Sequence, residues 1–203
     1  MGACIRYHDR VYSLTFADLN IDQDMVDALA TKGIIEPFPI QTQTIPMGLN
    51  KQDIIGQAKT GTGKTLGFGL PLLQSLGTDP APGVKALVVV PTRELCVQVA
   101  EDLTMASSNR GTKVVAIYGG KAYEGQVEQL KDGAQVVVGQ QGGVKQQLRV
   151  FCGLAHALGA GLQAFGFVVE QKGCGFRAGL CHGLKACAAL VDSVNASHQG
   201  NLA

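Results

Sequence analysis

The sequence predicts an α/β domain with a mostly parallel sheet, on three observations. Short, continuously apolar runs alternate with stretches of helical periodicity through residues 1–139. The first of these runs leads into a glycine-rich turn that opens a helix. The length of 203 residues suits one domain with an appendage, and is enough to bury a real core. Apolar runs separated by helices imply strands covered on both faces and joined by right-handed crossovers.

Taken in order, residues 21–33 read as a helix, with Asp22 as its cap, Met25, Val26 and Leu29 on one face, and Gly33 as its stop. The segment PFPIQTQTIP places Pro39 in a first helical turn, and Pro46 is expected to end or kink that helix. DIIGQA (53–58) reads as a strand, and GKTLGFGLPLLQSL (63–76) as a helix broken or bent near Pro71. GTDPAPG (77–83) is a turn-rich loop. KALVVV (85–90) is a strand, and residues 92–106 form an amphipathic helix with Leu95, Val99 and Leu103 on one face. TKVVAIYGG (112–120), YEGQVEQLK (123–131) and AQVVVG (134–139) read as strand, helix and strand. No internal repeat is present.

The glycine-rich turn carries the chemistry. AKTGTGKT (58–65) lies between a strand and a helix, the context that a phosphate-binding loop requires. Gly61 and Gly63 let the backbone bend so that several N–H groups face one anion, and the helix N-terminus adds unpaired donors and a favourable dipole. Lys64 would reach the β- and γ-phosphates of a nucleotide, and the Thr65 hydroxyl would ligate its Mg²⁺. Thr60 and Thr62 complete the loop, and Ala58 stands where the general pattern has its first glycine. The alternative is a strand-to-helix turn with no ligand.

Further motifs surround this loop. GIIEPFPIQ (33–41) resembles the Q motif of DEAD-box ATP-dependent RNA helicases, and Phe16 lies where that family carries an isolated upstream aromatic residue. PTREL (91–95) resembles the family's motif Ia, and Gly119–Gly120 resembles its GG motif. The resemblance covers roughly residues 12–139 and implies an incomplete RecA-like P-loop domain, ATP and Mg²⁺ as cofactors, and RNA as partner. It implies that Gln41 pairs with the adenine edge while Phe16 stacks on the base face, roles their chemistry allows. Their alternatives are a helix-surface amide and a core aromatic. It also implies that Pro91, Thr92, Arg93, Gly119 and Gly120 hold RNA through its backbone, without preference for sequence or for DNA. The alternatives there are helix capping, a surface arginine and an ordinary turn.

Composition breaks at GAQVVVGQQGGVKQQ (133–147). All 7 prolines and 14 of the 16 acidic residues precede Gln140, whereas residues 140–203 contain no Pro, Ile, Thr, Met or Tyr. Strands are seldom built without Ile and Thr, so 140–203 reads as an unassigned tail. The family's Thr-Pro-Gly-Arg element would begin at Gln140, where the residues are QQGG, and no Asp-Glu-Ala-Asp tetrapeptide occurs. Beyond Gly139 the acids are Glu170 and Asp192 alone. A P-loop ATPase needs carboxylates to organise Mg²⁺ and the attacking water. The chain is therefore expected to bind ATP and RNA with little or no turnover; the alternative is a non-catalytic remnant or partner-binding module. The tail admits several accounts: a frame error in the coding sequence, an uncharged segment at 150–169 of membrane-spanning length, a metal site from Cys174, Cys181, His182 and Cys187, or a partner-binding extension. Without its missing strand the sheet is expected to keep an uncovered edge.

The remaining totals exclude more than they assign. A net charge of +1 gives no global basic field, so any contact with nucleic acid must be local. MGACIR opens no signal-peptide pattern and has Arg6 where a myristoylation motif needs Ser or Thr. The expected compartment is the cytoplasm, with the six cysteines as reduced thiols.

Overall fold

The computed structural model describes residues 14–59, 61–78, 82–120, 123–140, 165–172 and 175–182. Its elements in chain order are α1 (Gln23–Ala30), α2 (Pro39–Leu49), β1 (Ile54–Lys59), α3 (Lys64–Leu76), β2 (Ala86–Val90), α4 (Arg93–Ala106), β3 (Val114–Ile117), α5 (Tyr123–Lys131), β4 (Val136–Gln140), β5 (Phe165–Lys172) and β6 (Gly175–His182). The expected alternation of strand and helix is present.

The strands form one sheet in the order β1-β6-β5-β2-β4-β3. β2 pairs in parallel with β4 and with β5, and β3 pairs in parallel with β4. β6 runs antiparallel to both neighbours, with Ile54 opposite Leu180 on β1 and Phe165 opposite His182 on β5. Two strands from beyond Gly139 thus fill the space between β1 and β2. Part of the segment that the sequence left unassigned contributes strands to the sheet. A strand ladder is made by backbone N–H and C=O groups, so a segment poor in Ile and Thr can still complete it.

Alternation along the strands divides the core between the two faces of the sheet. Val88, Val90, Val136 and Val138 pack with α1 to α4. Leu87, Val137, Val115 and Ile117 pack on the other side with Leu130 of α5. Successive side chains on a strand point to opposite faces, so a continuously apolar strand serves both layers. Between α3 and α4 the approach is close at Gly69, where a Cβ would lie 2.4 Å from Leu103 Cδ2.

Three local expectations are corrected. α2 continues past Pro46 to Leu49, and α3 runs unbroken through Pro71. Leu70, Pro71, Leu72 and Leu73 are all buried, and this packing outweighs the lost backbone bond. Asp22 does not cap α1 with its side chain. Its carboxylate instead pairs with Nη2 of Arg110, whose Nε also lies 2.6 Å from Asp24. Arg110 is buried, and its guanidinium further donates to the carbonyls of Leu73 and Gly77. Burial would lower its pKa, but the bonds from Asp24 and Asp22 outweigh that and raise it. One cation thus ties the start of α1 to the end of α3 and to the turn after α4.

Candidate nucleotide and RNA site

The phosphate loop joins β1 to α3. Gly61 and Gly63 have φ values of +79° and +68°, in the left-handed region open to glycine at little cost. Space makes a second demand at Gly63: a Cβ there would lie 2.3 Å from Gln41 Nε2 and 2.9 Å from Phe38 Cδ2. The Thr62 hydroxyl donates to the carbonyl of Lys59 at 2.8 Å. Thr60 lies outside the described residues.

Lys64 folds back over its own loop. Its amine donates to the carbonyl of Ala58 at 2.9 Å and to that of Lys59. Burial shifts its pKa below the ordinary lysine value. The amine is thereby held over the loop that would receive an anion, by carbonyl contacts that a phosphate oxygen could replace.

Gln41 holds the loop from the other side. Its Oε1 accepts from the Phe38 N–H at 2.8 Å, closing the first turn of α2, and its Nε2 donates to the Gly63 carbonyl at 2.8 Å. The side chain is 1% exposed. Both ends of the amide are engaged within the protein, so Gln41 straps α2 to the phosphate loop; an adenine contact, its expected role, would come in addition to these bonds. Phe16 is enclosed too. It is 1% exposed and belongs to the core, so its ring has no face free for a base. The exposed aromatic beside the loop is Phe38, at 51% exposure. Its position in PFPIQ was visible in the sequence, but its exposure was not.

Phe38, Gln41, Gly61, Gly63 and Lys64 line a cleft of about 330 Å³ that also receives Ile34, Thr65, Leu95, Gln98 and Asp102. Asp102, from α4, shares the lining of this cleft with Thr65. Burial raises its pKa above the ordinary carboxylate value, the nearby Thr65 hydroxyl offsets this in part, and the neighbouring Glu101 charge adds to the rise. Nothing in the sequence marked Asp102, because it lies far along the chain from the loop. As for metal, no group of three or more His, Cys, Asp or Glu could hold an ion among the described residues. The hydroxyl of Thr65 beside one carboxylate suits Mg²⁺ that arrives with phosphate oxygens of its own, the usual pattern for this hard cation.

The residues expected at RNA meet in a second place. Thr92 caps α4, its hydroxyl accepting from the Leu95 N–H at 3.2 Å, which is the capping alternative rather than a free side chain. Arg93 follows it and lays its guanidinium over the Tyr118 ring, 4.8 Å from the centroid. Gly119 and Gly120 come next, and a Cβ on Gly120 would lie 3.7 Å from Arg93 Nη1. Pro91 directly follows β2 and opens the bend to α4. Gln126 of α5 brackets the backbone of Tyr118, accepting from its N–H at 3.1 Å and donating to its carbonyl at 3.3 Å. Tyr118 was not singled out from the sequence, although an aromatic directly before a glycine pair is a usable signal.

Other expectations fall partly outside the described residues. Of the uncharged segment 150–169, residues 150–164 lie outside and 165–169 belong to β5. No described helix is long and apolar enough to cross a membrane. Cys174 and Cys187 lie outside, while Cys181 and His182 are the last positions of β6.

Comparison with known proteins agrees with this geometry. The DEAD/DEAH box helicase family model matches residues 38–169, past the compositional break and into β5. DEAD-box ATP-dependent RNA helicase CshA of Streptococcus pneumoniae is 46% identical over 129 residues, covering 64% of this chain and 24% of that protein. ATP-dependent RNA helicase DeaD of Escherichia coli is 46% identical over 140 residues, covering 68% and 22%. The chain thus spans about a quarter of the length of these relatives. Among solved structures, a DEAD box protein from Methanococcus jannaschii superposes with a TM-score of 0.58 at 35% identity, covering 66% of this chain and 37% of that one. The RNA-helicase Prp28 from Chaetomium thermophilum, bound to ADP, does so with a TM-score of 0.60 at 33% identity, covering 72% and 37%. With the phosphate loop, the Gln41 strap and the strand order in place, these matches settle the family: the chain belongs to the DEAD/DEAH box helicases.

Proposed function

We propose that this chain holds ATP in the cleft over residues 58–65 and an RNA backbone at Arg93, Tyr118, Gly119 and Gly120, the binding half of a DEAD-box RNA helicase reaction. The observation that carries the reading is the phosphate loop itself. Gly61 and Gly63 are in the left-handed region, the Lys64 amine is poised over the loop, and Gln41 fixes the loop from α2. The triphosphate takes the loop N–H groups and the Lys64 amine. The base lies against Phe38, the exposed ring at the mouth, rather than against Phe16. Mg²⁺ entering with the nucleotide supplies charge neutralisation at the phosphate oxygens. The relative Prp28 was solved with ADP, which accords with a nucleotide at this loop.

Turnover by this chain is slow in the same proposal. Its sequence has no Asp-Glu-Ala-Asp tetrapeptide to position metal and water. The test is nucleotide-induced thermal stabilisation measured beside phosphate release. The unsubstituted chain should be stabilised by ATP and release phosphate no faster than the buffer control. Lys64→Ala should abolish the stabilisation. An unchanged shift in Lys64→Ala would count against the site, and RNA-stimulated phosphate release would count against slow turnover.

A further inference from the structure

Gln126 stands outside the group of residues expected at RNA, yet it is tied to their backbone. β3 and β4 stay in register from Val114 opposite Val136 to Ile117 opposite Gly139. Tyr118 lies one step beyond that register. There the Gln126 side chain meets it: Oε1 accepts from the Tyr118 N–H at 3.1 Å, and Nε2 donates to the Tyr118 carbonyl at 3.3 Å. One flat amide offers Tyr118 the donor and the acceptor that a neighbouring strand would. Gln126 is 5% exposed, and burying an amide is costly unless it is hydrogen-bonded in this way. It sits four residues before Leu130, which packs against Val115, Ile117 and Val137. Residues four apart share a helix face, so the core contact of Leu130 also turns Gln126 toward the sheet.

Building on the RNA reading of Arg93 and the glycine pair, we propose that Gln126 is a positioning residue for RNA binding: by fixing the Tyr118 backbone it sets both the Gly119–Gly120 turn and the aim of Arg93. Gly119 and Gly120 directly follow Tyr118, so the peptide that Gln126 holds is where the turn starts. Gly120 has φ +82°, and a glycine pair has little conformational preference of its own, so the turn takes its direction from an outside anchor. The second effect runs through the ring. The Arg93 guanidinium rests over the Tyr118 ring at 4.8 Å, held by the attraction of a cation for an aromatic face. A shift of the Tyr118 backbone carries the ring with it and moves the platform on which Arg93 lies. Contacts to phosphate position a nucleic acid without reading its sequence, so both effects bear on affinity for any RNA strand.

The experiment measures binding of a short single-stranded oligouridylate to the whole chain over a series of KCl concentrations, beside ATP-induced thermal stabilisation. Gln126→Met removes both bonds at nearly the same side-chain length and helix propensity. It should weaken RNA binding about tenfold, the scale of one hydrogen bond to a charged group. It should also reduce the slope of log affinity against log salt by about 1, the share of one phosphate contact. ATP-induced stabilisation should stay as in the unsubstituted chain, because Gln126 lies away from the cleft at Lys64. Arg93→Ala added to Gln126→Met should cost little more, since the same contact is already lost. Gln129→Met, the same exchange at an exposed position of α5, should leave both readouts unchanged. Gln126→Asn, whose amide is one methylene short of Tyr118, stands in should Gln126→Met not fold, with the same loss expected. Unchanged RNA affinity in Gln126→Met overturns the inference alone. So does a loss that adds in full to that of Arg93→Ala and leaves the salt slope unchanged. A parallel loss of RNA affinity and ATP stabilisation also overturns it, since that marks a general role in folding. No RNA binding by the unsubstituted chain overturns the RNA reading together with it.

Discussion

Gly63→Ala is the substitution whose consequence the structure specifies most closely. Two costs arise. The backbone at residue 63 has φ +68°, where an alanine costs about 1 kcal/mol. The new Cβ would lie 2.3 Å from Gln41 Nε2 and 2.9 Å from Phe38 Cδ2, so the strap must move. Gln41 then loses its bond to the Gly63 carbonyl and loosens its bond to the Phe38 N–H. At about 1 kcal/mol for each hydrogen bond the second cost is about 2 kcal/mol. The sum is about 3 kcal/mol, or a fall of roughly 10 °C in Tm for a chain of this size. A double-mutant cycle separates the two parts. With Gln41→Ala already present the nearer clash partner and both its bonds are gone, the exposed Phe38 ring can swing aside, and Gly63→Ala should cost only the backbone part, about 1 kcal/mol. Urea unfolding of the four proteins measures this, with a coupling of about 2 kcal/mol expected. Equal costs for Gly63→Ala in both backgrounds would refute the claim that Gln41 braces the loop.

Further outcomes follow from other parts of the molecule. Phe38→Ala should weaken ATP binding several-fold with little effect on Tm, because the ring is exposed; Phe16→Ala should do the reverse, destabilising by about 3–5 kcal/mol as core aromatics do. Comparing nucleotide affinity with Tm for the two variants decides between the rings. Arg93→Ala should weaken RNA binding regardless of sequence and reduce the slope of log affinity against log salt by about 1, as read in a salt titration. Cys96, buried against the carbonyls of Val138 and Ile117, has its thiol pushed by burial from 9.0 to about 11. The folded state therefore keeps a proton that the unfolded chain gives up. Stability should fall as pH rises from 9.0 to about 11, and Cys96→Ala should flatten that limb in unfolding curves.

Much of the fold was legible because its signals are local. Apolar runs of strand length, the capping Thr92 and the glycines of the phosphate loop act within a few residues of themselves. What lay beyond reach were side chains whose environment is set from elsewhere. Asp22 has good capping chemistry, yet a buried arginine 88 residues away claims its carboxylate. Pro46 and Pro71 are poor helix formers, yet helix packing carries both helices through them. The segment after Gly139 has the wrong composition for strands, yet the space between β1 and β2 provides backbone partners for two.

The sequence by itself determined the phosphate loop, the family motifs and the alternation of strand and helix, because each is written in adjacent residues whose backbone preferences and chemistry need no distant partner. Only the tertiary structure decided what the side chains around that loop do. It buried Phe16 and exposed Phe38, and it tied Gln41 to the phosphate loop across 22 residues. It also brought Asp102 from α4 into the same cleft as Thr65. Burial and partnership are properties of packed surfaces, and packing joins residues that the chain keeps far apart.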